Sequence, residues 1–504
     1  MSQKFEGEIT VASRIVDYLS SGLYNSPAAC LKELVNNSYD ADATEVKVLV
    51  KPDADRIVIS DNGIGLSRKE FVRHFKRISE SHKRDKSDNT PSGRPQVGKI
   101  GIGFIAANEL CDVMEILSTK KGSRELLRVE VNFREMRLDR SSRGRKGDSY
   151  AKGDYVGWIE QAAVAEHYTH VILKEVRGRA RDIFTGAKHS GEDGDSLEDR
   201  TAGGYSVYGR TPAHVRDLLE ERIHDWSDLD TYSQTMLRVG MNVPVPYLPS
   251  WYGRRKRALL ERLTQEVEAL NFEVTYDGSD LRKPVVLPEG AEGSVLRKVE
   301  INGANVSAKG YLYARHGVLR PEWLNGVLIR IRHAAVGDYD EGFLGFRHSE
   351  GTLFQRWITA ELWADDRLED ALNIDRRTLR ITHPAYVELQ RAFHEELSSF
   401  LAEVRRKLYT DRSTARRRTE ARAEVGRLRE VMERPSARLP VSTKREVQAR
   451  EKAVGDASKK EIGSILRRYS VSELYEIALE VAEDTLSPSE YRRFAASLAR
   501  RLLG

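Results

Sequence analysis

The chain has 504 residues, which on the usual scale of domain size makes about three domains. At 40% hydrophobic residues it can bury several cores, while a mean hydropathy of -0.54 and no apolar run near the roughly 20 residues of a bilayer span give no candidate for a membrane helix. A formal net charge of +5 is too mild at this size to name a partner, and two isolated cysteines, Cys30 and Cys111, supply neither a disulfide framework nor a zinc site. Met1 is followed by the mixed-charge SQKFEGE instead of a basic and then apolar leader, so a reducing cytoplasm is the expected compartment.

Apolar residues at helical spacing predict helices over Ile15–Leu19 and Ala28–Tyr39, with Ser26-Pro27 marking the start of the second. On that second helix Glu33 and Asn37 are four residues apart and share a face, which Asp40 continues. A carboxylate, an amide and a second carboxylate in one row suit a magnesium-nucleotide site, where an amide oxygen can ligate the hard cation and a carboxylate can orient water. The same residues would also suit a solvated helix face.

Val46–Val50 and Arg56–Ser60 read as two short strands, and the second runs into Asp61-Asn62-Gly63-Ile64-Gly65. A carboxylate at a strand end can accept a hydrogen bond from the exocyclic amine of adenine, and Gly63 and Gly65 would let the backbone approach a flat base. An ordinary Asn-Gly turn is the alternative. Leu66–Val97 is polar and charge-rich, as a mobile lid over nucleotide would be. Then Gly98-Lys99-Ile100-Gly101-Ile102-Gly103-Phe104 leads into a helical pattern ending at Leu110, a glycine loop that can present backbone N–H groups to phosphate. It lacks the Ser or Thr of a P-loop and the spacing of a dinucleotide fingerprint.

Taken together and in this order, the three motifs resemble the N box and the two glycine boxes of the GHKL ATPase superfamily, which includes gyrase, heat-shock chaperones, histidine kinases and MutL. The GxxGxGF form and the stretch SGLYNSPAACLKELVNNSYDA are most similar to the ninety-kilodalton heat-shock chaperones. The fold expected is α+β: the resemblance implies an N-terminal Bergerat α/β sandwich and an α/β middle domain of transducer type, and the residue pattern adds a helical C-terminal region that resembles no family. It casts Glu33 as the residue that activates water, Asn37 as the Mg²⁺ ligand and Asp61 as the partner of the adenine amine. Gly98, Lys99, Gly101, Gly103 and Phe104 would line the phosphates, with Asp40 contacting nucleotide through water or only bracing the helix. Thr169-His170-Val171-Ile172-Leu173 resembles the last box, in which Thr169 would help hold adenine; a surface strand Thr is the other reading. With the motifs starting so near Met1, a preceding histidine-bearing domain is not expected, and neither is histidine kinase activity.

Further along, Gly178–Gly204 reads as a flexible loop, Thr211-Pro212 opens a helix to Ile223, and the proline-broken Val243–Pro249 suits an extended segment packed on a neighbouring domain. A helix over Arg255–Leu270 and strands over Lys298–Ile301, Ala308–Ala314 and Gly326–His333 predict the middle domain. There, Leu372-Asn373-Ile374-Asp375-Arg376-Arg377 is similar to the chaperone loop that reaches the γ-phosphate. The resemblance gives that contact to Arg376, with Arg377 as fallback; an exposed basic pair is the bland alternative, and Lys309 is a weaker candidate for the lysine that other branches use. Pro384–Leu408 is an amphipathic helix, Thr410–Arg450 is Arg-rich with interspersed Glu, and Ile462–Leu503 closes as small helices.

The expected domains are residues 1–180 for ATP binding, 181–250 as flexible insertion and connection, 251–405 as α/β middle domain and 406–504 as basic helical linker and small helical module. The resemblance implies an ATPase that uses ATP and Mg²⁺ and forms a homodimer on binding ATP, clamping or remodelling a protein client. A microrchidia- or MutL-like clamp on DNA, in genome or phage defence, is the alternative that the basic stretch supports. A nucleotide-sensing scaffold without catalysis is disfavoured by Glu33.

Overall fold

The computed structural model describes residues 26–51, 55–76, 89–98, 106–134, 155–164, 166–185, 200–201, 204–253, 257–287, 293–347, 355–373, 376–410, 413, 416–423, 445 and 471–502. Two compact units contain them, Met1–Val404 and Arg405–Gly504. The helix expected over Ile15–Leu19 lies outside the described residues.

Helix α1 (Pro27–Asp40) begins where Ser26 caps it: the Ser26 hydroxyl accepts from the Ala29 N–H, and proline supplies a pre-set first turn. Its Ala28, Leu31, Leu34, Val35 and Tyr39 enter the core together with Cys30. Strands β1 (Glu45–Lys51) and β2 (Arg56–Asp61) pair antiparallel, and alternate residues Val46, Val48, Val50, Ile57 and Ile59 are buried as period-two patterning requires. After α2 (Arg68–Lys76) and the short α3 (Ala107–Leu110) come β3 (Cys111–Thr119), β4 (Glu125–Asn132), β5 (Tyr155–Gln161) and β6 (Tyr168–Val176).

The stretch expected to be a flexible connection carries helix α4 (Gly178–Thr185), a two-residue ladder of β7 (Arg200–Thr201) and β8 (Gly204–Tyr205), and helices α5 (Pro212–Glu221) and α6 (Thr231–Asn242). Helix α7 (Ala258–Glu268) precedes β9 (Glu273–Tyr276) and β10 (Ser279–Asp280). These two strands cross the boundary expected at residue 250. β9 pairs in parallel with β1, completing an eight-stranded mixed sheet in the order β10-β9-β1-β2-β6-β3-β4-β5.

The second sheet has the order β11-β12-β15-β13-β14, from β11 (Ser294–Asn302), β12 (Ser307–Arg315), β13 (Gly326–Ile331), β14 (Ala334–Asp340) and β15 (Ile358–Ala364). Helix α8 (Pro384–Val404) lays Leu389, Phe393, Leu397 and Phe400 against β11 and β12. Helix α6 packs on α1 and α4 and also on β14, so one hydrophobic core runs from Ala28 to Trp363 across both sheets.

A buried polar knot ties the second sheet to α6 and to the proline-broken segment. Arg330 of β13 and Glu361 of β15 have fully buried side chains 2.9 Å apart. Tyr247, from the proline-broken segment, donates to Glu361 at 2.6 Å, Tyr339 donates to it at 2.8 Å, and Arg330 donates to the Met241 carbonyl at 3.0 Å. Such a pair is tolerated only because each charge has several partners.

In the second unit, α9 (Val471–Thr485) and α10 (Pro488–Leu502) pack together, and Arg416 pairs with Glu420 one turn on at 3.1 Å, the solvated-helix pattern for that short piece of the basic stretch.

Candidate functional site

Three elements of the first unit bring the motif residues together. Asp61 ends β2, and the antiparallel register sets it opposite Thr169 of β6, which in turn lies opposite Ser118 of β3. The Asp61 carboxylate is buried and accepts from the Ser38 hydroxyl at 2.8 Å and from the Gly63 N–H at 3.0 Å. Burial pushes its pKa up; the Gly63 and Ser38 donors pull the other way. Thr169 and Ser118 are 2.9 Å apart through their hydroxyls, and Ser118 also accepts from the Leu66 N–H at 2.8 Å. Ser38 is therefore a further residue of the candidate site that sequence reasoning passed over, although it follows Asn37 directly.

The glycines of the second motif have a packing reason of their own. A Cβ on Gly63 would come within 2.5 Å of the Ala41 carbonyl oxygen, and one on Gly65, at φ +73°, within 2.1 Å of the Thr119 carbonyl oxygen. Both are demanded by close packing of the chain on itself. Asn62 is structural too, its side-chain oxygen accepting from the Thr44 and Glu45 N–H groups at 2.9 and 3.0 Å. The His167 ring donates to the Gly63 carbonyl at 3.0 Å, closing the motif from the β6 side.

Asp40 has a definite task. Its two carboxylate oxygens accept from the N–H groups of Val97 at 2.6 Å and Gly98 at 2.8 Å, so α1 holds the entry to the glycine loop. Lys99, Gly101, Gly103 and Phe104 lie outside the described residues. Of the segment expected as a lid, residues 89–97 are held to the domain: Ser92 donates to Asp42 through its N–H at 3.0 Å and through its hydroxyl at 2.5 Å. Buried Arg94 donates to the Leu270, Tyr39 and Ala43 carbonyls and stacks 4.6 Å over the Tyr39 ring. Residues 77–88 lie outside the described residues.

Glu33 is half-buried, and its carboxylate stands 3.6 Å from the Lys32 amine. Burial drives the Lys32 amine below its usual range, Glu33 opposes this, and the charges of Arg376 and Arg377 add to it. Arg376 lies 3.6 Å from Glu369, while Arg377 is 3.6 Å from Asp338. Lys309 pairs with Glu266 at 2.8 Å and is engaged on the α7 side of β12.

These residues fit Mg-ATP chemically. Asn37 is exposed and makes no side-chain hydrogen bond among the described residues, leaving an amide oxygen for a hard cation. Asp61 uses two of about four lone-pair positions and retains capacity for an amine donor.

Residues 24–149 match the family model of histidine kinase-, DNA gyrase B-, and HSP90-like ATPases. A putative type II restriction enzyme, HgiDII of Herpetosiphon aurantiacus, is 40% identical over 115 residues, 23% of this chain and 18% of that protein. The chaperone protein HtpG of Bacillus subtilis (strain 168) is 29% identical over 139 residues, 24% of this chain and 22% of that one. HtpG of Methylobacterium sp. (strain 4-46) is 32% identical over 134 residues, 22% of each chain. The chain spans about a fifth of the length of these curated relatives. Its N-terminal part is a GHKL-type ATPase domain, as the three motifs imply.

Proposed function

We propose that this GHKL-type domain binds ATP with Mg²⁺ and hydrolyses it, and that the rest of the chain turns the cycle into a conformational switch. The observation that supports this best is the convergence of Asp61, Ser38 and Thr169 at one end of the sheet, with Glu33 and Asn37 on the helix that supplies Ser38. In this reading Asp61 accepts from the adenine amine, Asn37 ligates the cation and Glu33 orients the attacking water. Bound Mg²⁺ would neutralise charge on the phosphates. Arg376 would add a guanidinium at the γ-phosphate, where developing charge is stabilised most. Two protomers would approach on binding ATP, in a cytoplasmic setting, and separate after hydrolysis.

The client divides into two readings. A protein client follows from the likeness to HtpG. A DNA client is favoured by a separate observation, the likeness to a putative restriction enzyme together with the Arg-rich stretch 410–450. ATP turnover with and without double-stranded DNA, at low and moderate salt, separates them. Stimulation that disappears as salt rises supports the DNA clamp, because phosphate contacts are lost by counterion competition. Turnover indifferent to DNA supports the protein client. For the chemistry itself, Glu33→Ala is expected to bind ATP and fail to hydrolyse it.

A further inference from the structure

A cluster of charges outside the residues assigned so far lies where the second sheet meets the glycine motif. Arg332 stands at the tip of the β13–β14 hairpin with its side chain 3% exposed. One terminal nitrogen donates to the Gln96 carbonyl, two residues before Gly98. Its Nε donates to Asp366 at 2.7 Å, and its other terminal nitrogen is 3.4 Å from Glu369. Glu369, whose side chain is 8% exposed, is the carboxylate that stands 3.6 Å from Arg376. The path Gln96, Arg332, Glu369, Arg376 is therefore continuous, and solvent screens its inner members little.

Backbone conformation marks the same path. Arg332, His333 and Arg376 have φ of 52°, 67° and 51°, in the left-handed region that side chains other than glycine enter at a cost. Such residues persist where their surroundings over-determine them, and they gather at switch regions.

We propose that Arg332 and Glu369 form a relay that couples the position of Arg376 to the backbone of the glycine motif. The relay rests on the reading of Arg376 as the γ-phosphate arginine. Residues Gln96–Gly98 are gripped from two sides, by Asp40 of α1 and by Arg332 of the second sheet. A guanidinium is a rigid planar fork, so a shift of the Gln96 carbonyl turns the face that Arg332 offers Glu369. Glu369 shares its charge between two guanidiniums, so a change at Arg332 alters its hold on Arg376. Glu369 and Arg332 are positioning residues; neither is assigned a contact with nucleotide.

The test is a double-mutant cycle between Glu369→Gln and Arg376→Ala in the full chain, read by ATP turnover and by the preference for ATP over ADP in binding. Glu369→Gln keeps the side-chain shape, and its unfolding midpoint without nucleotide serves as the folding control. The relay predicts that Glu369→Gln lowers kcat by roughly tenfold to a hundredfold, as misplacement of a charge-stabilising group does, with little change in KM. Glu369→Asp keeps the charge and retains more turnover, and Arg376→Ala added to Glu369→Gln costs little more. Losses that multiply, or a Glu369→Gln variant that turns over and discriminates like wild type while Arg376→Ala does not, overturn the relay and leave Arg376 in place. If Arg376→Ala changes neither turnover nor the ATP preference, the reading of Arg376 itself falls.

Discussion

Asp61 concentrates the site's chemistry in one side chain. Burial raises its pKa, so the ionised acceptor is lost at a higher pH than for an ordinary carboxylate, and ATP affinity should fall as pH drops through that raised value. The same shift means that the charged form costs the folded state stability at neutral pH, since the unfolded chain ionises Asp61 more readily. Asp61→Asn should therefore lose ATP affinity by about 10- to 100-fold, the worth of a hydrogen bond to a charged group, without lowering the unfolding midpoint measured in the absence of nucleotide. Titration calorimetry and thermal unfolding on the same preparation check both halves; retained affinity would remove Asp61 from the base site. The spacing of Glu33, Asn37 and Asp40 was readable because helical geometry converts spacing into a shared face. The bonds from Asp40 to Val97 and Gly98, and the packing reason for Gly63 and Gly65, were not readable. They depend on which distant backbone arrives beside them.

Among the elements, the β13–β14 hairpin joins stability to the site. Burial of His333 at its tip, with the positive charges of Arg330 and Lys309 adding to it, pushes its pKa down to about 3. The unfolded chain takes up this proton near the ordinary histidine value of about 6.5. Over the window between these values the unfolded state binds more protons, so stability falls as pH falls, by up to about 1.4 kcal/mol per pH unit. His333→Asn tolerates the left-handed backbone and does not titrate. Its loss of stability between pH 6.5 and 5, read from denaturant midpoints, should be smaller than that of wild type; an equal loss would assign the acid sensitivity elsewhere. Strand β1 was legible from alternation, β2 as a short apolar run, β6 only through its resemblance to the last box, and α1 from its cap and apolar period. Strand β9 was not, because Glu273–Tyr276 is short and its partner β1 lies more than two hundred residues earlier, beyond any local signal. The stretch before it was read as linker from its polar composition, yet α6 puts Tyr232, Met236, Leu237, Val239 and Met241 into the core.

For the molecule as a whole, residues up to Val404 form one compact unit whose two sheets share a core, with the buried knot around Arg330 and Glu361 tying the second sheet to α6. Sequence patterns divided this region at residue 250, since the proline-broken Val243–Pro249 reads as a connection and a new helix–strand pattern follows it; the chain returns to the first sheet through β9 and β10 before starting the second. If Glu33 and Asp61 hold nucleotide as proposed, a change there would have packed routes into the second sheet, through α6 and through Arg332. That architecture serves a switch only if the site turns ATP over, so hydrolysis is the point on which the account stands. The most direct measurement is phosphate release and ATP binding by wild type and Glu33→Ala side by side. The account predicts turnover by wild type, and a variant that binds ATP with similar affinity and releases phosphate at a rate lower by about two orders of magnitude or more, as expected when a water-activating group is removed. A Glu33→Ala protein hydrolysing ATP at the wild-type rate would contradict it.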